Sequence, residues 1–206
     1  MPEGARRPRV GILISGRGSN MAALLDAMRD GRVEADPSVV IANVPGAAGL
    51  ARAAAAGVPT AVVDHRAVTP REAHERAMIE VLERHGTDIV CLAGFMRRLT
   101  PLLIGRYRGR VLNIHPALLP AFPGLDAQRA ALDHGVKITG CTVHIVDELV
   151  DHGPIVLQAA VPVLEGDTAE SLSGRILEQE HLLYPRALAL VASGRIVLDG
   201  RRVRLA

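Results

Sequence analysis

The chain of 206 residues has no tryptophan, and its whole aromatic complement is Phe95, Tyr107, Phe122 and Tyr184. Lysine is almost missing as well. Lys137 is the single one, so the positive charge is carried by arginine, and the formal balance is only +2. A nucleic-acid surface needs a basic stripe or stacking aromatics, and neither is present, so nucleic acid is not an expected partner. Cysteine is scarce too. Cys91 and Cys141 lie in apolar stretches without metal-type spacing, which excludes a disulfide framework and reads as two small buried hydrophobes. No apolar run approaches the roughly 18 residues of a membrane span, and Val10–Ile14 is too short for a signal-peptide core. No membrane is expected as partner, and the cytoplasm is the expected compartment.

What the chain does have is rhythm. Hydrophobic residues make up 49% and charged residues 22%, a globular balance that excludes a disordered tail or a coiled coil. Met1–Arg9 reads as a loose extension. Val10–Ser15 is a short apolar run that stops at Gly16-Arg17-Gly18-Ser19-Asn20. Met21, Leu24, Leu25 and Met28 follow at the spacing of one helical face, ended by Gly31. Val39–Ala42 and Thr60–Val63 read as strands around an alanine-rich helix, Ala47–Ala56. Thr69-Pro70-Arg71-Glu72 predicts a capping box, with Thr69 as the cap and Pro70 at the first position of a helix running to about His85. Asp88–Ala93 is a continuous apolar strand, Thr100-Pro101 starts a short helix, and Val111–His115 is the next strand. Pro116, Pro120 and Pro123 make the segment up to Gly124 an irregular loop. A helix over Leu125–His134, strands over Lys137–Val146 and Pro154–Val163, and a helix over Thr168–Val191 follow. Arg195–Leu198 and Arg201–Leu205 close the chain as a hairpin around Asp199-Gly200. The alternation predicts one α/β domain: a doubly wound, mostly parallel central sheet with helices on both faces, its ligands at the carboxyl ends of the strands.

Three strand ends carry chemistry. The glycines of Ser15-Gly16-Arg17-Gly18-Ser19-Asn20 let backbone amides approach an anion, and the helix that follows adds a favourable dipole. Met21 stands where a dinucleotide fingerprint needs its third glycine, and no Gly-Lys-Ser/Thr is present, so a phosphate monoester suits the loop better than a pyrophosphate. The competing reading is a tight turn with Ser19 as helix cap. In Val111–His115, alternation puts Asn113 and His115 on one face and Leu112 and Ile114 on the other. An amide that can donate to an oxyanion thus lies beside an imidazole that can donate or shuttle a proton; a His in such a position can equally be a satisfied core residue. In the strand after it, Thr142 and His144 face opposite to Cys141, Val143 and Ile145. Its loop holds Asp147, Glu148 and Asp151, either a solvated acidic loop or one whose Asp151 orients His115 and favours its cation. A zinc site from His115, His144, Asp151 and His152 is an alternative, although no pair has helical metal spacing. In the last helix Glu180 falls in the apolar stripe of Leu172, Ile176, Leu183 and Ala187, where a carboxylate either rims a cleft or snorkels to water.

Four segments in order carry a resemblance: Ile14–Asn20, Leu92–Arg97, Leu112–Pro120 and Asp147–Pro154. Together, over Arg9 to Ala206, the chain resembles the phosphoribosylglycinamide formyltransferases, folate-dependent enzymes of purine synthesis. The resemblance implies a Rossmann-like fold with a phosphate-binding half (10–107) and a catalytic and folate-binding half (108–206). It implies formyl transfer from 10-formyltetrahydrofolate, as co-substrate, to the amine of glycinamide ribonucleotide (GAR), without a metal. Gly18, Ser19 and Asn20 would bind the substrate phosphate and Glu180 the ribose hydroxyls; Asn113, His115 and Asp151 would be the catalytic trio. The pterin would lie against Met96, Arg97, Arg98 and Leu99 and against Asp147, Glu148, Leu149 and Val150. Ala121 and Gln128 depart from the lysine and histidine common in such relatives. A monomer or homodimer is expected. The rivals are a formyltetrahydrofolate hydrolase, which usually carries an extra N-terminal domain, a methionyl-tRNA formyltransferase, which has an added C-terminal one, and a non-catalytic nucleotide-binding module.

Overall fold

A computed structural model describes residues 6–205. In chain order these form β1 (Arg9–Ile14), α1 (Ser19–Arg29), β2 (Asp36–Ala42), α2 (Ala48–Ala55), β3 (Thr60–Val62) and α3 (Arg71–Arg84). Then come β4 (Ile89–Leu92), α4 (Pro101–Arg106), β5 (Val111–His115), α5 (Ala127–His134), β6 (Ile138–Ile145), β7 (Ile155–Pro162) and α6 (Ala169–Ala192), and a hairpin of β8 (Ile196–Asp199) and β9 (Arg202–Leu205). The main sheet has seven strands in the order β3-β2-β1-β4-β5-β6-β7. The first five run parallel, and β6 and β7 are antiparallel additions. The expected mostly parallel, doubly wound sheet is therefore what is found, and strand order reverses between β1 and β4.

Alternation along each strand divides two cores. Ile12, Ile14, Val40, Cys91, Leu112 and Val143 point to one face, where Met21 and Leu24 of α1 and Ile176 and Leu183 of α6 pack on them. Leu13, Ile41, Val90 and Val111 point to the other, against Met78 and Leu82 of α3 and Leu103 of α4. Each fully buried Leu or Ile contributes about 1.5–3 kcal/mol, so a one-residue slip of any central strand would forfeit several such side chains. The longest helix, α6, is started by a capping box between Thr168 and Ser171. It is also pinned to the sheet: the buried Tyr184 hydroxyl lies 3.1 Å from both the Leu92 carbonyl, at the end of β4, and the Leu112 carbonyl, at the second residue of β5.

Three expectations change at element ends. Arg9, placed with Met1 to Pro8 in a loose extension, is the first residue of β1, its amide 2.7 Å from the Asp88 carboxylate; residues 1–5 lie outside those described. The capping box at Thr69 does not form. Pro70 is extended (ψ −176°) and is itself the N-cap, so the helix begins one residue later, beyond reach of the Thr69 hydroxyl. Strand β2 starts at Asp36 rather than Val39, because a register shift opposite Val10 and Gly11 accommodates Pro37, which has no amide for the ladder.

Candidate functional site

The turn after β1 is built from backbone. Gly18 has φ 71°, the left-handed region that suits glycine, and it is the N-cap of α1 without any side-chain cap. Ser19, considered above as a helix cap, is instead the first helical residue. The first-turn amides of α1 have no partner within the helix and remain available to an anion. Gly49 of α2 packs against this turn, its amide donating to the Gly16 carbonyl at 3.0 Å. Below the turn, Asn20 Nδ2 donates to Glu180 Oε2 at 2.6 Å, joining two residues 160 positions apart. Both are buried, at 8% and 7% exposure, so Glu180 does not snorkel to water. Burial raises its carboxyl above the usual range, and the Asn20 bond only partly offsets this. The Asn20 Oδ1 is buried without a partner.

The next strand ends are tied to that turn. The Ser15 amide donates to the Gly94 carbonyl, the Ser15 hydroxyl to Asn43 Oδ1 at 2.6 Å, and the Met96 amide to Ser15 Oγ at 2.8 Å. This draws Met96–Leu99 against the phosphate-type turn. Met96 itself is exposed, as are Arg98, Glu148, Leu149 and Val150, while Arg97, Leu99 and Asp147 are half-buried.

The third group is made of side chains. The antiparallel register sets Asn113 opposite His144 and His115 opposite Thr142, so all four project from one face of the sheet. Asp151 reaches back among them from a backbone with φ 49°, a left-handed conformation that Asp tolerates better than most residues. Its Oδ2 accepts from the Gly124 amide at 2.8 Å and lies 3.3 Å from His115 Nδ1; its Oδ1 lies 3.4 Å from Asn113 Nδ2 and 3.7 Å from His144 Nε2. Gly153 just after it is required by space, since a Cβ there would run into the Ile145 carbonyl. Asp151 is therefore turned inward rather than solvated, with the loop's other carboxylates, Asp147 and Glu148, facing out.

Ionisation follows from these neighbours. Burial works against the Asp151 carboxylate, but the His144 ring, the Gly124 amide and the His115 charge outweigh it and hold it below the usual range. His115 is 4% exposed, and burial lowers its pKa although Asp151 and the Phe122 carbonyl pull the other way. Asp151 thus favours the His115 cation, as expected, and burial opposes it more strongly. His115 Nε2 donates to the Phe122 carbonyl at 2.8 Å, and Nδ1 faces Asp151. His144 Nδ1 lies 3.1 Å from the Ile145 carbonyl, and its Nε2 lies 3.2 Å from Asn113 Nδ2 and 3.7 Å from Asp151 Oδ1.

The sequence reading set His144 beside His115 and Asp151 only as a zinc alternative, not as a member of the catalytic group. It also missed the Phe122 carbonyl and Gly124 amide, supplied by an irregular loop. A groove of about 400 Å³ lies elsewhere, lined by Leu132, Lys137, Leu164 and Asp167 among others. Among the described residues, no group of three or more His, Cys, Asp or Glu is placed to hold a metal, and no helix is long and apolar enough to cross a membrane.

The formyl transferase family model matches residues 8–188. Phosphoribosylglycinamide formyltransferase of Escherichia coli strain K12 is 41% identical over 199 residues, which are 93% of this chain and 94% of that protein. Trifunctional purine biosynthetic proteins adenosine-3 also match, and the chain spans 19% of the Bos taurus protein's length and 14% of the Drosophila melanogaster one's. Among solved structures, glycinamide ribonucleotide transformylase 1 from Symbiobacterium toebii superposes with a TM-score of 0.95 at 54% identity, covering 97% of this chain and 94% of that one. A formyltetrahydrofolate deformylase from Pseudomonas putida KT2440 superposes at 0.87 with 30% identity, covering 98% of this chain and 71% of that one. With its glycine turn, its Asn-x-His strand and an inward Asp on one sheet edge, the chain belongs to the formyl transferase family.

Proposed function

We propose that the chain transfers the formyl group of 10-formyltetrahydrofolate to the amine of GAR, giving formyl-GAR and tetrahydrofolate in purine biosynthesis. The observation that carries this reading is Asp151, shared by His115, Asn113 and the Gly124 amide on the same sheet edge as an anion-accepting helix start. The first-turn amides at Gly18, Ser19 and Asn20 hold the phosphate. Glu180, one hydrogen bond from Asn20, takes the ribose hydroxyls. For the folate, Met96 (67% exposed) and Leu149 (61% exposed), with Val150, offer apolar surface, and the main chain of 96–99 and 147–150 offers polar groups.

The reaction then follows from ionisation. The GAR amine attacks the formyl carbon, a C–N bond forms, and the carbonyl electrons move onto oxygen. Asn113 Nδ2 gives up its long 3.4 Å contact to Asp151 and donates to that oxyanion, a contribution of about 3–4 kcal/mol for a well-aimed donor. Burial favours the uncharged His115 ring at the outset. As the amine loses its proton, Nδ1 of His115 accepts it, and the new cation is stabilised by Asp151 and by the developing negative charge. The proton passes to N10 of the folate as the C–N10 bond breaks. Holding two substrates in attack geometry supplies much of the remaining rate.

A second reading, hydrolysis of the same folate by water, is favoured by the 30% identity to the Pseudomonas deformylase. The buried Asn20–Glu180 pair weighs for a nucleotide acceptor, because water needs no such subsite. The test is tetrahydrofolate release with and without GAR. Release that requires GAR, matched by formylated product, supports transfer; release without it supports the hydrolase; release in neither overturns both.

A further inference from the structure

The family match ends at residue 188, yet the hairpin beyond it reaches back to the candidate folate loop. Arg201, in the turn between β8 and β9, places one guanidinium nitrogen 2.6 Å from His152 Nε2 and the other 2.7 Å from the His152 carbonyl. The first of these also lies 3.2 Å from His152 Nδ1, so it sits against the ring; a carboxylate only accepts, so the His152 Nδ1 facing Asp147 carries the ring proton. That nitrogen in turn donates to Asp147 Oδ2 at 2.7 Å, and Asp147 Oδ1 accepts from the Leu149 amide at 3.0 Å. One carboxylate thus ties both ends of the segment 147–152, and one arginine fork ties the segment to the hairpin.

We propose that Arg201, acting through His152, is a positioning residue for the folate loop, a role that rests on the formyl-transfer reading above. Asp151 and the exposed Leu149 and Val150 lie inside the tethered segment. The fork grips the backbone carbonyl as well as the ring, so it restrains the chain on both sides of Asp151. Nothing in the chain Arg201–His152–Asp147 touches Asn20 or Glu180. Loosening it therefore bears on the folate and leaves the nucleotide alone.

Arg201→Ala is expected to raise the KM for 10-formyltetrahydrofolate about fivefold, the scale of a half-exposed charge-assisted contact, with kcat and the KM for GAR near wild type. His152→Ala should act in the same direction, and the double variant should show less than the sum of the single effects, because both break the contact between Arg201 and the ring. Arg201→Lys, which keeps one donor, should recover part of the effect. Amide hydrogen exchange at Leu149–His152 in the protein without substrates should quicken in Arg201→Ala. Unchanged exchange there overturns the tether, whatever the enzyme catalyses. Faster exchange in a chain that transfers no formyl group would leave the tether standing and remove the formyl-transfer reading. Equal rises in both KM values, or additive single effects, would overturn the assignment to the folate loop.

Discussion

The turn at Gly16–Asn20 and the group around Asp151 both sit at the carboxyl edge of one sheet, but they are made of different material. The first offers free main-chain amides, a left-handed glycine and a single carboxylate buried against an amide, Glu180 on Asn20. The second offers two imidazoles, an amide and a carboxylate, all within 3.7 Å of a neighbour in the group. Helix amides read a fixed charge and need no titration, whereas the Asp151 group has one carboxyl and one imidazole displaced from their ordinary values. The first is suited to holding a substrate and the second to moving a proton. The Asp151 group pairs two displaced titrating groups, while beside the helix amides only Glu180 is displaced, by burial.

That division can be broken by substitution. The largest expected effect is at Asp151→Asn, which keeps shape and removes charge: turnover should fall about 10²–10⁴-fold, read in the formyl-transfer assay. Asn20→Ala should act on the other half. It leaves Glu180 buried without its donor, so stability should drop by about 1–3 kcal/mol in denaturant titration, and the KM for GAR should rise more than that for folate. Glu180→Gln sharpens the contrast further. A glutamine there can accept from Asn20 Nδ2 and donate to its unpartnered Oδ1, so the melting temperature should rise by about 2–4 °C while GAR binds more weakly.

The smallest effect is in pH. The His115 pKa is lowered, so the folded state holds its proton less tightly than the unfolded chain. Its share of stability is present above the ordinary 6.5 and is lost as pH falls through the folded value. Asp151 behaves alike, below the ordinary 3.8. Glu180 is raised and has the opposite sign: its share is present below 4.5 and is lost as pH rises through its folded value. Between pH 7 and 5 the His115 and Glu180 shares oppose each other, so denaturant midpoints in His115→Gln should lose the part that falls with falling pH, and those in Glu180→Gln the part that rises.

Much of this was legible in the chain itself. Period-two alternation put Asn113 and His115 on one face and Thr142 and His144 on another, and the register joined the two faces into one. The antiparallel direction of β6 is what made that union, and direction is not written in alternation. The apolar stripe of α6 singled out Glu180, but its partner Asn20 lies 160 residues away, and only tertiary packing shows that the pair is buried. Asp151 was expected to favour the His115 cation, and it pulls that way; the burial that pulls harder is a property of the assembled sheet and loop, which the chain's spacing does not carry. The Thr69 box failed locally, because Pro70 is extended and becomes the cap itself.

The most direct measurement of this division is calorimetric titration of Asp151→Asn with GAR, made alongside its turnover. Wild-type affinity with turnover lost is the predicted result. Affinity and turnover falling together would contradict it, and would make holding and proton transfer one function of one group.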